Sequence, residues 1–168
     1  MTTHGNLLSV VLRQRTLIRS GVVHQLQGTS GDLLRGAHLP SFRVLVVDDF
    51  EPFRQLVRSI LVAKPELQII GEAADGLEAV QKAVELKPDL ILLDIGLPLL
   101  NGIEAARQIR KLVPRSKIIF LSQESSAEVV QEALSLSASS YVVKATAGSE
   151  LLAAVEAVAL GQKDIGSN

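Results

Sequence analysis

From about residue 41 the chain alternates between short unbroken apolar runs and longer stretches where apolar residues recur every three or four positions. The runs "FRVLVV" (42–47), "LQIIGEA" (67–73), "LILL" (90–93), "KIIFLS" (117–122) and "SYVVK" (140–144) have the length and β-branched content of strands. Between the first two, Phe53, Leu56, Val57, Ile60 and Leu61 form the stripe of an amphipathic helix. Leu77, Val80 and Val84 start a second helical face, and Ile103, Ala106 and Val113 mark a third. Two more helices are expected around 125–136 and 149–160. Pro65, Pro88 and Pro114 fall between a helical stripe and the next strand, where a helix cannot continue. Pro52 suits the first turn of its helix.

Strands that alternate with helices of this length build right-handed βαβ units and a parallel sheet. Such strands are covered on both faces, so they need not alternate apolar with polar residues. The expectation is an α/β domain over residues 41–162, a five-stranded doubly wound sheet, followed by a short tail at 163–168. Residues 1–40 break the rhythm. Leu7 to Leu12, Leu17, Ile18, Val22, Val23 and Leu26 suggest one or two helical turns, which Gly21, Gly28, Gly31 and Gly36 then dissolve. The stretch reads as a poorly ordered or partly helical extension. His4, His24 and His38 lie there at irregular spacing, and no chemistry is assigned to them.

Charge and composition narrow the function. The net charge of −1 sets up no overall field toward nucleic acid or an anionic membrane. Residues 1–40 hold four arginines against one aspartate, a net of +3, while the remaining 13 bases and 17 acids leave −4 on the rest. The absence of cysteine excludes disulfides, a thiolate nucleophile and a cysteine zinc site. No apolar run reaches the length of a membrane span. The start, "MTTHGNLLSVVLRQR", lacks the basic lead-in and cleavage pattern of a secretory signal, so a soluble cytoplasmic protein is expected.

The polar residues at the strand ends carry the chemistry. "VVDD" closes the first strand with Asp48 and Asp49, and "LILLD" closes the third with Asp94. In a 2-1-3 strand order these acids meet in the crevice beyond the carboxyl ends of the strands, where ligands bind in open α/β sheets. Ser122 and Lys144 stand at the matching ends of strands four and five. Singly, each has a plain reading: Asp49 as a helix cap, Asp94 as a turn acid, Lys144 as a solvated lysine. Together they do not. Two carboxylates about 4 Å apart repel by roughly 4 kcal/mol at an effective dielectric near 20, so three call for a lysine and a cation. Oxygen-only ligands point to Mg²⁺. Residues 41–168 contain neither histidine nor cysteine, and "GEAADG" lacks the lysine and spacing of a phosphate loop. What survives is phosphoryl transfer with a carboxylate nucleophile, Lys144 and Mg²⁺ neutralising the phosphoryl oxygens and Ser122 donating to one of them.

With "VVDD", "LLDIGLP", "NGIEAARQIR", "LS" at 121–122 and "YVVK" at 141–144 in order, residues 42–160 resemble the receiver domain of two-component response regulators. The "DGLEAV" and "NGIEAARQIR" stretches are most similar to the NarL/FixJ-type subgroup. The resemblance implies a flavodoxin-like sheet in the order 2-1-3-4-5. It implies that Asp94 is the phosphoacceptor for a sensor histidine kinase or phosphotransfer protein. Asp49, Asp94 and the Gly96 carbonyl would bind Mg²⁺ directly, and Asp48 through water. Ser122 and Lys144 would grip the phosphoryl group. Tyr141 resembles the aromatic switch that turns inward with Ser122, repacking the face of the fourth helix, fifth strand and fifth helix for a second copy or an output protein. Such a domain is no enzyme beyond promoting its own phosphorylation and dephosphorylation.

Several positions depart from the family pattern. Gln123 replaces the usual Ala or Gly and would narrow access to Asp94; Glu124 and Gly96 border the site where hydrolysis is tuned; Ala145 replaces a proline. Ser137 stands where glycine often ends the fourth helix, at about 1 kcal/mol if left-handed geometry persists. After the fifth helix only "GQKDIGSN" follows, in which a LuxR-type helix-turn-helix does not fit, so direct DNA binding is not expected. Two rival readings are an aspartate-nucleophile phosphatase of the haloacid-dehalogenase kind and a phosphorylation-independent scaffold. The first lacks its general acid, because Gly96 occupies that position. The second has to explain why the acids and Lys144 are intact.

Overall fold

The computed structural model describes residues 41–161 except 124, 125 and 137. The expectations for residues 1–40, the tail 163–168, Glu124 and Ser137 lie outside them. Five parallel strands, β1 (Phe42–Val47), β2 (Leu67–Ala73), β3 (Leu90–Asp94), β4 (Lys117–Ser122) and β5 (Ser140–Val143), form one sheet in the order β2-β1-β3-β4-β5. The helices between and after them are α1 (Glu51–Leu61), α2 (Gly76–Leu86), α3 (Gly102–Leu112), α4 (Ala127–Ser135) and α5 (Ala147–Ala159). A 3₁₀ turn, Lys144–Thr146, joins β5 to α5. The rhythm of strands and helices predicts the five-stranded doubly wound sheet, and the strand order is the flavodoxin-like one that the resemblance implies.

Successive residues of each central strand serve opposite layers. Val44, Val46, Leu90, Leu92, Ile119 and Leu121 pack with Phe53, Val57 and Leu61 of α1 and Leu151, Val155 and Val158 of α5. Leu45, Val47, Ile91, Leu93, Ile118 and Phe120 pack on the other side with α2, α3 and Ala133 of α4. The two layers explain why β1 and β3 are apolar residue after residue: almost every side chain has a helix to bury against.

The second helix departs from the expectation. Leu77 and Val84, which hydropathy places on its inner face, are exposed, whereas Gly76, Ala79 and Ala83 are buried. Leu56 of α1 is also more exposed than its place in the stripe suggests, at 39%. A helix lying close to its neighbours buries its smallest residues, and hydropathy alone then points to the wrong side. The last two helices run over Ala127–Ser135 and Ala147–Ala159, α5 starting two residues earlier than expected.

Strand register aligns the polar ends. Val47 is paired with Leu93, so Asp48 stands level with Asp94. Asp94 is paired with Leu121, and Ser122 with Val143, which puts Ser122 and Lys144 one step beyond on consecutive strands. The loop after β3 is held just as tightly. Gly102 N donates to the Ile95 carbonyl at 2.9 Å, and Leu100 N to the Pro98 carbonyl at 2.7 Å across Leu99. Leu99 has φ +63°, a left-handed value unusual for a non-glycine residue, with its side chain in solvent. A Cβ on Gly102 would run into the Asp94 carbonyl, and one on Gly76 into that of Leu100.

Gly102→Ala should therefore lower stability by roughly 1–3 kcal/mol, because the colliding atoms are backbone and cannot swing aside. Urea unfolding of the full chain measures this. Gly148→Ala, at a position where an added Cβ meets nothing within 4 Å, should show no loss and serves as the control.

Candidate functional site

β1, β3 and β5 deliver their terminal polar residues to one crevice. Carboxylate oxygens of Asp48, Asp49 and Asp94 lie within 4.8 Å of one another. Lys144 Nζ reaches in from the end of β5, 2.8 Å from Asp94 Oδ2 and 2.7 Å from Asp48 Oδ2. The lysine side chain is only 7% exposed, and those of Asp48 and Asp94 are 0% and 5%. Ser122 is buried at the neighbouring strand end. A cavity of about 470 Å³ opens over the cluster, lined by Asp49, Phe50, Asp94, Ile95, Gly96, Ser122, Gln123, Val129 and Lys144.

The two buried acids are held differently. Asp94 Oδ1 accepts from the Gly96 amide at 3.2 Å while its Oδ2 accepts from Lys144. Asp48 Oδ1 accepts from the Phe50 amide at 3.0 Å. Asp48 Oδ2 faces Nζ as an ion pair, but among the described residues it is buried without a hydrogen bond. Burial raises the Asp48 carboxyl above its ordinary value of 3.8, against the opposing pull of Lys144 and the Phe50 amide. Burial also works against the Lys144 charge, yet its contacts with Asp48 and Asp94 outweigh that and leave its pKa above the ordinary 10.5.

Asp49 is exposed and plays no capping part: α1 is capped by Phe50 without a side-chain hydrogen bond. That removes the plain reading of this acid. With all four groups ionised, three carboxylates against one ammonium leave −2 in the cluster. An all-oxygen donor set with that deficit suits a hard divalent cation such as Mg²⁺.

Most of the residues singled out from sequence meet here: Asp48, Asp49, Asp94, Ser122 and Lys144, with Gly96 and Gln123 on the rim. Tyr141 does not line the crevice. It stands opposite Phe120, two residues before Ser122 on the next strand, half-buried on the layer that includes α4. Two residues escape a reading of side-chain spacing. The Phe53 ring lies 4.9 Å from Lys144 Nζ, close enough for a cation–π contact beneath the ammonium. Arg54 Nη1 donates to the main-chain carbonyl of Asp48 at 2.6 Å. Phe53 is fully accounted for as a core residue, and a bond to a backbone carbonyl leaves no signature in the sequence.

The family model of the response regulator receiver domain matches residues 44–156. The chain belongs to this family. Phosphorylation and Mg²⁺ binding are general to these signalling domains of two-component systems. Over 104 residues the receiver is 45% identical to the protein-glutamate methylesterase/protein-glutamine glutaminase of Thermotoga maritima, covering 61% of this chain and 30% of that protein. It is 37% identical over 122 residues to the response regulator protein VraR of Staphylococcus aureus, covering 73% of this chain and 58% of VraR. The chain thus spans about a third of the first relative and little more than half of the second. A LuxR-family two-component response regulator from Aurantimonas sp. superposes with a TM-score of 0.69 at 32% identity, over 73% of this chain and 88% of that one. Among the described residues no helix is long and apolar enough to cross a membrane.

The burial of Asp48 sets a pH dependence. A carboxyl whose folded pKa lies above its unfolded value binds its proton more tightly when folded, so its contribution to stability is present at low pH and lost as pH rises through the folded pKa. Asp48→Asn removes that loss. In chelator, the variant's unfolding temperature should gain on the parent's between about pH 4 and about pH 8. Thermal unfolding at the two pH values checks this, and a variant that gains nothing on the parent between them would contradict it.

Proposed function

We propose that this receiver takes a phosphoryl group from the phosphohistidine of a sensor histidine kinase, or of a phosphotransfer protein, onto Asp94. The observation that supports this most is Asp94 itself: buried at the end of β3, facing an open crevice, with Lys144 Nζ 2.8 Å from Oδ2. An Asp94 carboxylate oxygen attacks phosphorus as the phosphorus–nitrogen bond of the donor breaks. The bonding pair leaves on the imidazole nitrogen, and an aspartyl phosphate remains.

The protein's own groups prepare this step. The Gly96 amide and Lys144 fix the orientation of the attacking carboxylate. Transfer of negative phosphoryl oxygens into the crevice adds to the anions that Lys144 already balances, Asp48 and Asp94, and the Ser122 hydroxyl would donate to one of those oxygens. Asp49, Asp94 and the Gly96 carbonyl would hold Mg²⁺, with Asp48 behind them acting through water. When bound, the ion supplies the positive charge that one lysine cannot, screening both the acids and the phosphoryl oxygens.

The output follows from position. Ser122 ends β4, and Tyr141 lies on the adjacent β5 beside α4. Movement of Ser122 toward the phosphoryl group frees space for Tyr141 to turn inward. The face of α4, β5 and α5 then repacks and presents itself to an output protein or a second copy of the chain. The domain acts as a signalling switch and turns over nothing but its own phosphoryl group.

Incubation of the full chain with Mg²⁺ and a small acyl phosphate should yield one acid-labile adduct by intact mass. Asp94→Asn should abolish it, and chelation should suppress it. An adduct that persists in Asp94→Asn would overturn the assignment.

A further inference from the structure

We propose that Arg54 is a positioning residue of the acid pocket, fixing the Asp48–Asp49 peptide and through it the Asp49 carboxylate that would hold the cation and the Asp48 carboxylate behind it. The inference rests on the reading of this crevice as a Mg²⁺-dependent phosphoryl site.

The guanidinium is nearly buried, its side chain 15% exposed, and three of its nitrogens are committed to different elements. Nη1 donates to the Asp48 carbonyl at 2.6 Å, Nε to Glu72 Oε2 of β2 at 2.9 Å, and Nη2 makes a short contact with Glu51 at the start of α1. Arg58, one helical turn on, contacts the other oxygen of each acid: Glu51 Oε1 at 2.6 Å and Glu72 Oε1 in a short contact. Two arginines and two glutamates thus close a ring in which each carboxylate joins both guanidinium groups. The ring ties α1 to β2, and from it Arg54 also reaches the pocket.

That arm lands on a sensitive peptide. Asp48 is already held through its amide, which donates to the Ala73 carbonyl at 3.0 Å, and through Oδ1 on the Phe50 amide. Its Oδ2 faces Lys144 Nζ at 2.7 Å, and its carbonyl is the remaining handle. A peptide unit is planar, so fixing that oxygen also sets the direction in which the chain enters Asp49. Asp49 is exposed and sits on the crevice rim, so the backbone rather than surrounding packing decides where its carboxylate points. Arg54 also brings positive charge to within one peptide of a cluster short of it.

A merely structural arginine would behave differently, and Arg58 provides the comparison. It belongs to the same ring, contacts the same two acids and, among the described residues, has no hydrogen bond or ion pair to the pocket. Arg54→Met and Arg58→Met each keep the aliphatic stem and remove the charge. In calorimetric titration of the full chain with Mg²⁺, Arg54→Met should weaken binding by roughly tenfold or more, in the range for groups that orient metal ligands. Arg58→Met should stay within about twofold of the parent, as expected for a group outside that shell. Arg54→Lys, which returns a donor to the carbonyl, should recover part of the loss. With a small acyl phosphate, Arg54→Met should raise the Mg²⁺ concentration for half-maximal phosphorylation while leaving the rate at saturating Mg²⁺ nearly unchanged.

Equal effects of the two methionine variants on Mg²⁺ affinity, or no effect from either, would overturn the proposal. If Arg54→Met does not fold, Arg54→Lys against Arg58→Lys carries the same comparison. A parent chain that binds Mg²⁺ but forms no acid-labile adduct would sink the phosphoacceptor reading, while the affinity comparison would still decide the role of Arg54.

Discussion

Three carboxylates held with oxygens within 4.8 Å of one another repel, and the rest of the structure is arranged around containing that repulsion. Two carboxylates at about 4 Å repel by roughly 4 kcal/mol at an effective dielectric near 20. Lys144 offsets part of it, seated between two of the acids and over the Phe53 ring. The remainder is carried by the two-layered core, whose central strands are buried residue after residue up to the point where the acids begin. Local disagreement between a sequence and its fold tends to gather at functional sites, and here it is confined to a few strand-terminal positions.

Much of this is legible in the order of residues alone. The strands announce themselves because a parallel strand between two helical layers has no solvent side, so Val44–Val47 and Leu90–Leu93 read as unbroken runs. The site is legible for a related reason: an acid at the end of such a run has few plain explanations, and several of them at neighbouring strand ends have fewer. Strand register, fixed by those apolar runs, then converts positions in sequence into proximity in space.

What stays hidden follows a different logic. The inner face of α2 is made of Gly76, Ala79 and Ala83, because this helix packs closely on the sheet and on the loop after β3. Leu77 and Val84 are more hydrophobic and lie outside. Burial there is decided by the space available. Arg54 is invisible for another reason: its most telling partner is the Asp48 carbonyl, and every residue has a carbonyl. Phe53 satisfies the core stripe so well that nothing prompts a second role for it, though its ring also faces an ammonium.

The glycines at the starts of α2 and α3 bear on how such a protein can diversify. The first rests directly on the Leu100 carbonyl and the second on that of Asp94, with no side chain between. An inserted residue there would lift two helices together, so length variation is shut out at this rim. Leu99, its side chain in solvent, remains open to change. Variation at this rim is thereby confined to side-chain chemistry, on a main-chain path that the two glycine contacts hold in place.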